Sequence, residues 1–294
     1  MRIWPHCIPC LTKVRLNEIL KLPINDEKKI AAMARLMNET SKYIHSDSST
    51  VKLATLSFRM VKEFSGVDDP YKSYKEESNR IASSLLERVR EKIEIARGFE
   101  KFRKLVILAI NSNMLDPGTP YNFTPRQLEQ VLFDPNLKID DTKKIYSKFF
   151  QVSSIVYLLD NCGEALFDLL LVEFLAENVS ADITVVAKGK PYQNDVTYDE
   201  ALKLGFQEYA KVLSTESDAA GPIRGFISDR VLEEISNADL VISKGMANYE
   251  TFLDEPFSNT VAFLLKAKCV PVATSLRVKP GDSIAYFLHK TNGN

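Results

Sequence analysis

The chain is predicted to be an α/β protein, with an N-terminal helical bundle over residues 1–112 and a three-layer α/β/α domain with a mainly parallel sheet over residues 113–294. Three observations predict this. Up to Ile110, apolar residues recur at three- and four-residue spacing, the mark of helices buried on one face. From Val152, short apolar runs rich in β-branched residues alternate with amphipathic stretches, as in parallel sheets covered by helices. Between them lies Asp116-Pro117-Gly118-Thr119-Pro120, a cluster of turn formers that places the passage between domains.

In chain order, helices are predicted over 11–22, 27–43 and 51–64, the second carrying the stripe Ile30, Met33, Ala34, Met37 and the third Leu53, Leu56, Met60, Phe64. Asp68-Asp69-Pro70 ends the third, because proline lacks an amide donor and biases its predecessor away from helix. Tyr71 to Gly98 is helical with a solvated ionic face, and Phe99 to Ile110 is another helix. The lead-in over 113–151 is irregular or helical. Ser153 to Leu159 is a strand stopped by Asp160-Asn161-Cys162-Gly163, and Glu164 to Asn178 is the helix after it. Further strands are predicted at 183–187, 210–213, 240–243, 261–265 and 270–274, with helices at 198–204, 228–237 and 248–253.

The 294 residues suffice for a large core, and 38 Lys and Arg against 39 Asp and Glu leave a formal charge of −1. There is no global basic field to recruit nucleic acid or an anionic membrane, so a small-molecule partner is expected. Met1 to Lys13 lacks the apolar core of a secretory signal, and no run of about 18 uncharged apolar residues occurs, so a cytoplasmic location is expected. Four cysteines give no disulfide framework. His6-Cys7-Ile8-Pro9-Cys10 brings two thiols within three residues, a spacing open to a soft metal or to redox chemistry. With no second CxxC and no surrounding βαβ pattern, a structural role is favoured.

Ligands of open parallel sheets bind beyond the carboxyl ends of the strands. Three polar loops lie there: Asp160-Asn161, Lys188 to Asp195, and Lys244 to Asn248. Asp160, Asn161 and Asp195 offer two carboxylates and an amide oxygen, the hard donors that Mg²⁺, Mn²⁺, Co²⁺ or Ni²⁺ accepts, with room left for water and a phosphate oxygen. Lys244 then supplies a positive charge for the phosphoryl group, with Gly245 allowing close backbone approach ahead of a helix N-terminus. Helix capping and turn formation account equally well for any one of these loops, and the three together favour a site. Glu164 and Asp168 share a helix face. Asp168 is expected to orient the metal ligands, Glu164 either does the same or touches a substrate hydroxyl, and Glu164 and Lys188 stand as substrate-contact candidates.

The segments Asp160 to Asp168, Lys188 to Asp195 and Ala238 to Glu250 resemble the damage-control phosphatases, also described as acidic-residue methyltransferase-like. The CxxC and Asn113-Met114-Leu115-Asp116 are similar to features of the archaeal and bacterial branch. The resemblance implies a helical bundle joined to an α/β domain, and hydrolysis of phosphate esters of sugars or damaged phosphometabolites by attack of a metal-activated water. It matches Asp160, Asn161 and Asp195 to metal ligands, Lys244 and Asn248 to phosphate and substrate contacts, and Asn113 and Asp116 to a loop approaching the cleft. Cys162, Ser112 and Pro117 depart from the family's usual residues, without removing a ligand.

Two other classes stay open at this stage. An S-adenosylmethionine-dependent carboxyl methyltransferase would want a glycine-rich first turn, where this chain has Asp160-Asn161-Cys162-Gly163. A noncatalytic sugar-phosphate or nucleotide binder would not need the carboxylates, and no Walker A or Gly-x-Gly-x-x-Gly sequence is present. An aspartyl-nucleophile phosphatase typically has a second Asp two residues on, where Cys162 stands, so water is the favoured nucleophile. Oligomeric state is not encoded in any readable pattern.

Overall fold

The computed structural model describes residues 1–114, 130–255, 257 and 259–289. Five helices come first: α1 (Cys7–Leu20), α2 (Asp26–Ser41), α3 (Thr50–Ser65), α4 (Lys72–Glu94) and α5 (Gly98–Asn111). Side chains of Asn25 and Ser49 cap α2 and α3 by accepting from the amides of Lys28 and Lys52. Helix α5 ends at Asn111, and the Asp116–Pro120 cluster lies outside the described residues.

The remaining elements are β1 (Ile139–Asp140), α6 (Thr142–Phe149), β2 (Ser154–Leu158), α7 (Ala165–Asn178), β3 (Asp182–Ala187), α8 (Tyr198–Leu204), β4 (Lys211–Ser214), α9 (Asp229–Asn237), β5 (Leu240–Lys244), α10 (Gly245–Asp254), β6 (Thr260–Lys266), α11 (Val270–Ser275) and β7 (Ser283–Leu288). They form a seven-stranded sheet in the order β1-β7-β6-β5-β2-β3-β4, parallel except for the β6–β7 pair. The expected class, a mainly parallel sheet between helical layers, is what the chain forms.

Alternation along each strand divides the core in two. Ile155 and Tyr157 of β2, with Leu240 and Ile242 of β5, point to one face, where α4, α5, α6 and α7 contribute Leu85, Phe102, Ile145 and Leu171. Val156 and Leu158 point to the other, against Leu36, Phe58, Val231 and Phe252 of α2, α3, α9 and α10. The N-terminal helices thus serve both layers, α1 to α3 on one face and α4 and α5 on the other.

Two expectations along the chain need correction. Val270 to Thr274 is the short helix α11 rather than a strand: Pro271 occupies its first turn, where a missing amide donor costs nothing. The strand beside β6 is instead β7, whose Ile284 and Ala285 are buried. The sequence reading passed over it.

Candidate active site

Strand order reverses between β2 and β5: the chain leaves β2 toward β3 and β4, then returns through α9 to β5 on the other side. Such a switch point leaves a crevice at the carboxyl ends of the two strands. A cavity of about 200 Å³ occupies it, lined by Asn113, Asp160, Asn161, Glu164, Asp195 and Lys244 among others.

The backbone explains how Asp160 and Asp195 meet. After β3, the loop from Lys188 turns back along the end of β2, where Val196 N–H donates to Asp160 O (2.9 Å) and Cys162 N–H to Asn194 O (2.8 Å). Asn161 and Asp195 are therefore paired across a short antiparallel bridge. Lys188 holds this loop from beneath. Its ammonium donates to the carbonyls of Ala219 and Ala220, both at 2.7 Å, and lies 3.4 Å from Asp195 Oδ2.

Asn161 Nδ2 donates to Asp160 Oδ2 (2.8 Å), and Asn161 N–H to Glu164 Oε1 (3.2 Å). From the end of α5, Asn113 Nδ2 donates to Glu164 Oε2 (2.6 Å) and to Asp160 Oδ2 (3.5 Å). Lys244, 2% exposed, donates to Asp168 Oδ1 (2.7 Å) and lies 3.6 Å from Glu164 Oε1. The Tyr157 hydroxyl donates to the same Asp168 oxygen (2.7 Å).

Four carboxylates, Asp160, Glu164, Asp168 and Asp195, thus share two ammonium groups, Lys188 and Lys244. Burial pushes the Asp160 carboxyl well above the usual range, and Glu164 and Asp195 push it further. Burial likewise raises Asp195 to about 6 against the pull of Lys188, and Asp168 to about 6 against that of Lys244. For Lys244, burial favours the neutral amine, but Asp168 and Glu164 outweigh it and raise its pKa.

This donor set fits a divalent cation. The site carries surplus negative charge, the Asn161 amide spends its donor on Asp160 and leaves its oxygen over, and Asn113 Oδ1 is buried with no hydrogen-bond partner. Among the described residues no three His, Cys, Asp or Glu side chains enclose an ion alone. An ion here would use amide oxygens, water and substrate as well.

The structure therefore brings Asp160, Asn161, Glu164, Asp195, Lys244 and Asn113 together at one cavity. Asn248 and Lys188 are not among the residues lining it: Asn248 Nδ2 donates to Leu159 O (3.2 Å) and Lys244 O (2.8 Å), tying the ends of β2 and β5 together. Asp116 lies outside the described residues. Sequence reasoning passed over Lys268, which is exposed at the rim and has no ion pair among the described residues. Its signal was available, since it stands just past the apolar run 261–265.

An acidic, oxygen-rich cavity at the switch point of an open sheet is the architecture of an α/β enzyme, and the whole chain carries the likeness that says which. Residues 3–284 match the family model of the damage-control phosphatase ARMT1-like domain, and the chain belongs to that family of phosphatases. It is 29% identical to damage-control phosphatase PH1575 of Pyrococcus horikoshii over 96% of each chain. It is 33% identical to a damage-control phosphatase of Archaeoglobus fulgidus over 97% of this chain and 99% of that one. The crystal structure of the Pyrococcus horikoshii protein, described there as a DUF89 family member, superposes with a TM-score of 0.89 at 28% identity, covering 98% of this chain and 99% of that one. Membership answers the methyltransferase and noncatalytic readings: the chain is a phosphatase. Among the described residues no helix is long and apolar enough to cross a membrane.

Proposed function

We propose that the chain hydrolyses phosphate monoesters of small metabolites, sugar phosphates or damaged phosphometabolites, with a divalent ion held by Asp160, Asn161 and Asp195. The observation that carries this reading is the charge imbalance: Asp160 sits among carboxylates that raise its pKa, at the open end of a parallel sheet. When bound, the ion supplies Lewis-acid polarisation of the phosphoryl group and lowers the pKa of the attacking water. Mn²⁺, Mg²⁺, Co²⁺ and Ni²⁺ all suit oxygen donors, and availability decides among them.

The protein's own groups do the rest. Lys244, fixed by Asp168 and Glu164 at the N-terminus of the ten-residue α10, presents a permanent positive charge to the phosphoryl oxygens as negative charge develops. Because Asp168, itself held by the Tyr157 hydroxyl, fixes the ammonium, that charge needs no reorganisation during reaction. Asn113 and Glu164 orient Asp160 and the Asn161 backbone. Lys188 positions Asp195, and Asn248 keeps the strand ends in register. Lys268, exposed at the rim, draws in the anionic ester.

The test is phosphate release by Asp160→Ala and Lys244→Ala, with circular dichroism as the control for folding. Folded protein with activity lost by about 10²-fold or more in each is expected. Wild-type rates in a folded Asp160→Ala protein would refute the assignment.

A further inference from the structure

The catalytic cavity is small. At about 200 Å³ it has room for a phosphoryl group and its nearest atoms, and falls below the ~300 Å³ at which pockets for whole small molecules begin. A second cavity of about 480 Å³ adjoins it, and the two share Tyr192, Gln193, Met246, Ala247 and Lys268 in their walls. The second cavity runs away from the sheet between α1, α3 and α11.

Its walls differ in kind from those of the first. Leu11 and Val14 of α1, Val51 and Ala54 of α3, and Pro271 of α11 line it. Cys7, Cys10 and Cys269 also face it, all three as free thiols, which behave as small apolar groups in such surroundings. This gives the CxxC motif a place: it is part of a wall. The one guanidinium present, Arg15, is already neutralised by Glu18 and stacked 5.2 Å from the Phe58 ring centroid. Glu250, a further lining residue whose carboxyl pKa is raised by burial to about 7, offers no positive charge to a second anionic group. Among the described residues, the lysine without an ion pair that lines this cavity is Lys268, at the junction.

We infer that this second cavity is the subsite for the alcohol part of the substrate, and that it selects phosphate monoesters whose alcohol is apolar and ring- or alkyl-bearing. The inference rests on the phosphatase site proposed above and, of the two substrate classes named there, favours damaged phosphometabolites with an apolar ring or alkyl body over sugar phosphates. The polarity gradient sets the orientation: phosphate toward Asp160 and Lys244, Lys268 at the junction, and the uncharged body between α1 and α3. A compact polyol would leave the apolar walls wet, whereas a phenyl or alkyl group displaces that water.

The experiment compares 2-phenylethyl phosphate with glycerol 3-phosphate, both esters of alkyl alcohols, on the full chain supplied with Mn²⁺. The wild type is expected to show kcat/KM at least about tenfold higher for the phenylethyl ester. Ala54→Phe fills the cavity from α3. It is expected to lower kcat/KM for the phenylethyl ester about tenfold, leaving glycerol 3-phosphate within about twofold. Val270→Trp, at an exposed position on the α11 wall, is expected to act in the same direction and guards against misfolding of the first variant. Equal kcat/KM for the two esters, or a preference that neither folded variant reduces, overturns the inference alone. Hydrolysis of neither ester by metal-supplied wild type that does release phosphate from a sugar phosphate also overturns the inference alone, whereas release from none of the three overturns the proposed phosphatase site, and the inference falls with it.

Discussion

A β-carbon placed on Gly245 would lie 2.0 Å from Oδ2 of Asp160. The first residue of α10 therefore meets the carboxylate just past β2 with no room for a side chain. Gly245 also has φ +76, a conformation that favours glycine. Both constraints act on the same residue, so Gly245→Ala is expected to displace Asp160. It should lower phosphate release by at least about tenfold and destabilise the fold by about 1–2 kcal/mol. Activity assays together with urea unfolding check this, and unchanged kcat would show that the Asp160 position is immaterial.

Lys244 and Asp168 form a buried pair at 2.7 Å, with exposures of 2% and 0%. Removing one partner leaves an uncompensated charge. Lys244→Met is expected to cost about 3 kcal/mol of stability. The double variant Lys244→Met with Asp168→Asn should recover much of that, because Tyr157 can still donate to the neutral amide oxygen. Activity should return in neither, and this separates the lysine's role in catalysis from its role in folding.

Asp218 links α3 to the loop that carries Ala219 and Ala220, through Arg59 (2.7 Å) and Lys62 (2.9 Å). Burial raises its carboxyl pKa, but the hydrogen bonds from Arg59 and Lys62 more than reverse this, so the folded pKa lies below 3.8. A depressed carboxylate pKa contributes stability above the unfolded value of about 3.9 that is lost as pH falls through the folded value. Lys62→Met should therefore cost about 1 kcal/mol at pH 7. The gap from wild type should narrow as pH falls from about 3.9, the unfolded value, through the folded pKa, as Asp218 takes up its proton in both proteins. Denaturant titrations at pH 7 and pH 3 measure it.

Gln193 has φ +42, a left-handed conformation for a residue that has a β-carbon, and its Nε2 donates to Glu18 Oε1 at 2.9 Å. It stands two residues before Asp195, so the turn that delivers Asp195 is anchored to α1. Gln193→Gly relieves the backbone while losing that hydrogen bond, and its stability should lie within about 1 kcal/mol of wild type. Gln193→Val, β-branched, should cost about 2 kcal/mol or more. Urea midpoints distinguish them.

The parts legible in the sequence were those set by local pattern. The run Ile155 to Leu159 and its stop at Asp160-Asn161 read directly as a buried strand and its carboxyl end, and that placed half of the site. Asp195 was legible as a polar residue after the next strand. The bridge that turns it onto Asn161 was not, because it pairs residues 34 apart in the chain through loop hydrogen bonds. Asn248 and Lys188 have the chemistry of ligand contacts, yet spend their donors on backbone carbonyls, which only the packing reveals. Val270 to Thr274 has the composition of a strand, and Pro271 was the residue that argued otherwise. The alternating Ile284 and Tyr286 of β7 followed a Pro280-Gly281 turn, and that signal went unread.

The central claim is that Asp160, Asn161 and Asp195 hold a divalent ion on which phosphate hydrolysis depends. The direct measurement is phosphate release by protein stripped with a chelator and then titrated with Mn²⁺, Mg²⁺, Co²⁺ or Ni²⁺, for the wild type and for Asp195→Ala. The account predicts negligible release from the stripped wild type, saturable recovery with at least one ion, and no recovery in folded Asp195→Ala. Full activity in the presence of chelator, or equal recovery in the variant, would contradict it.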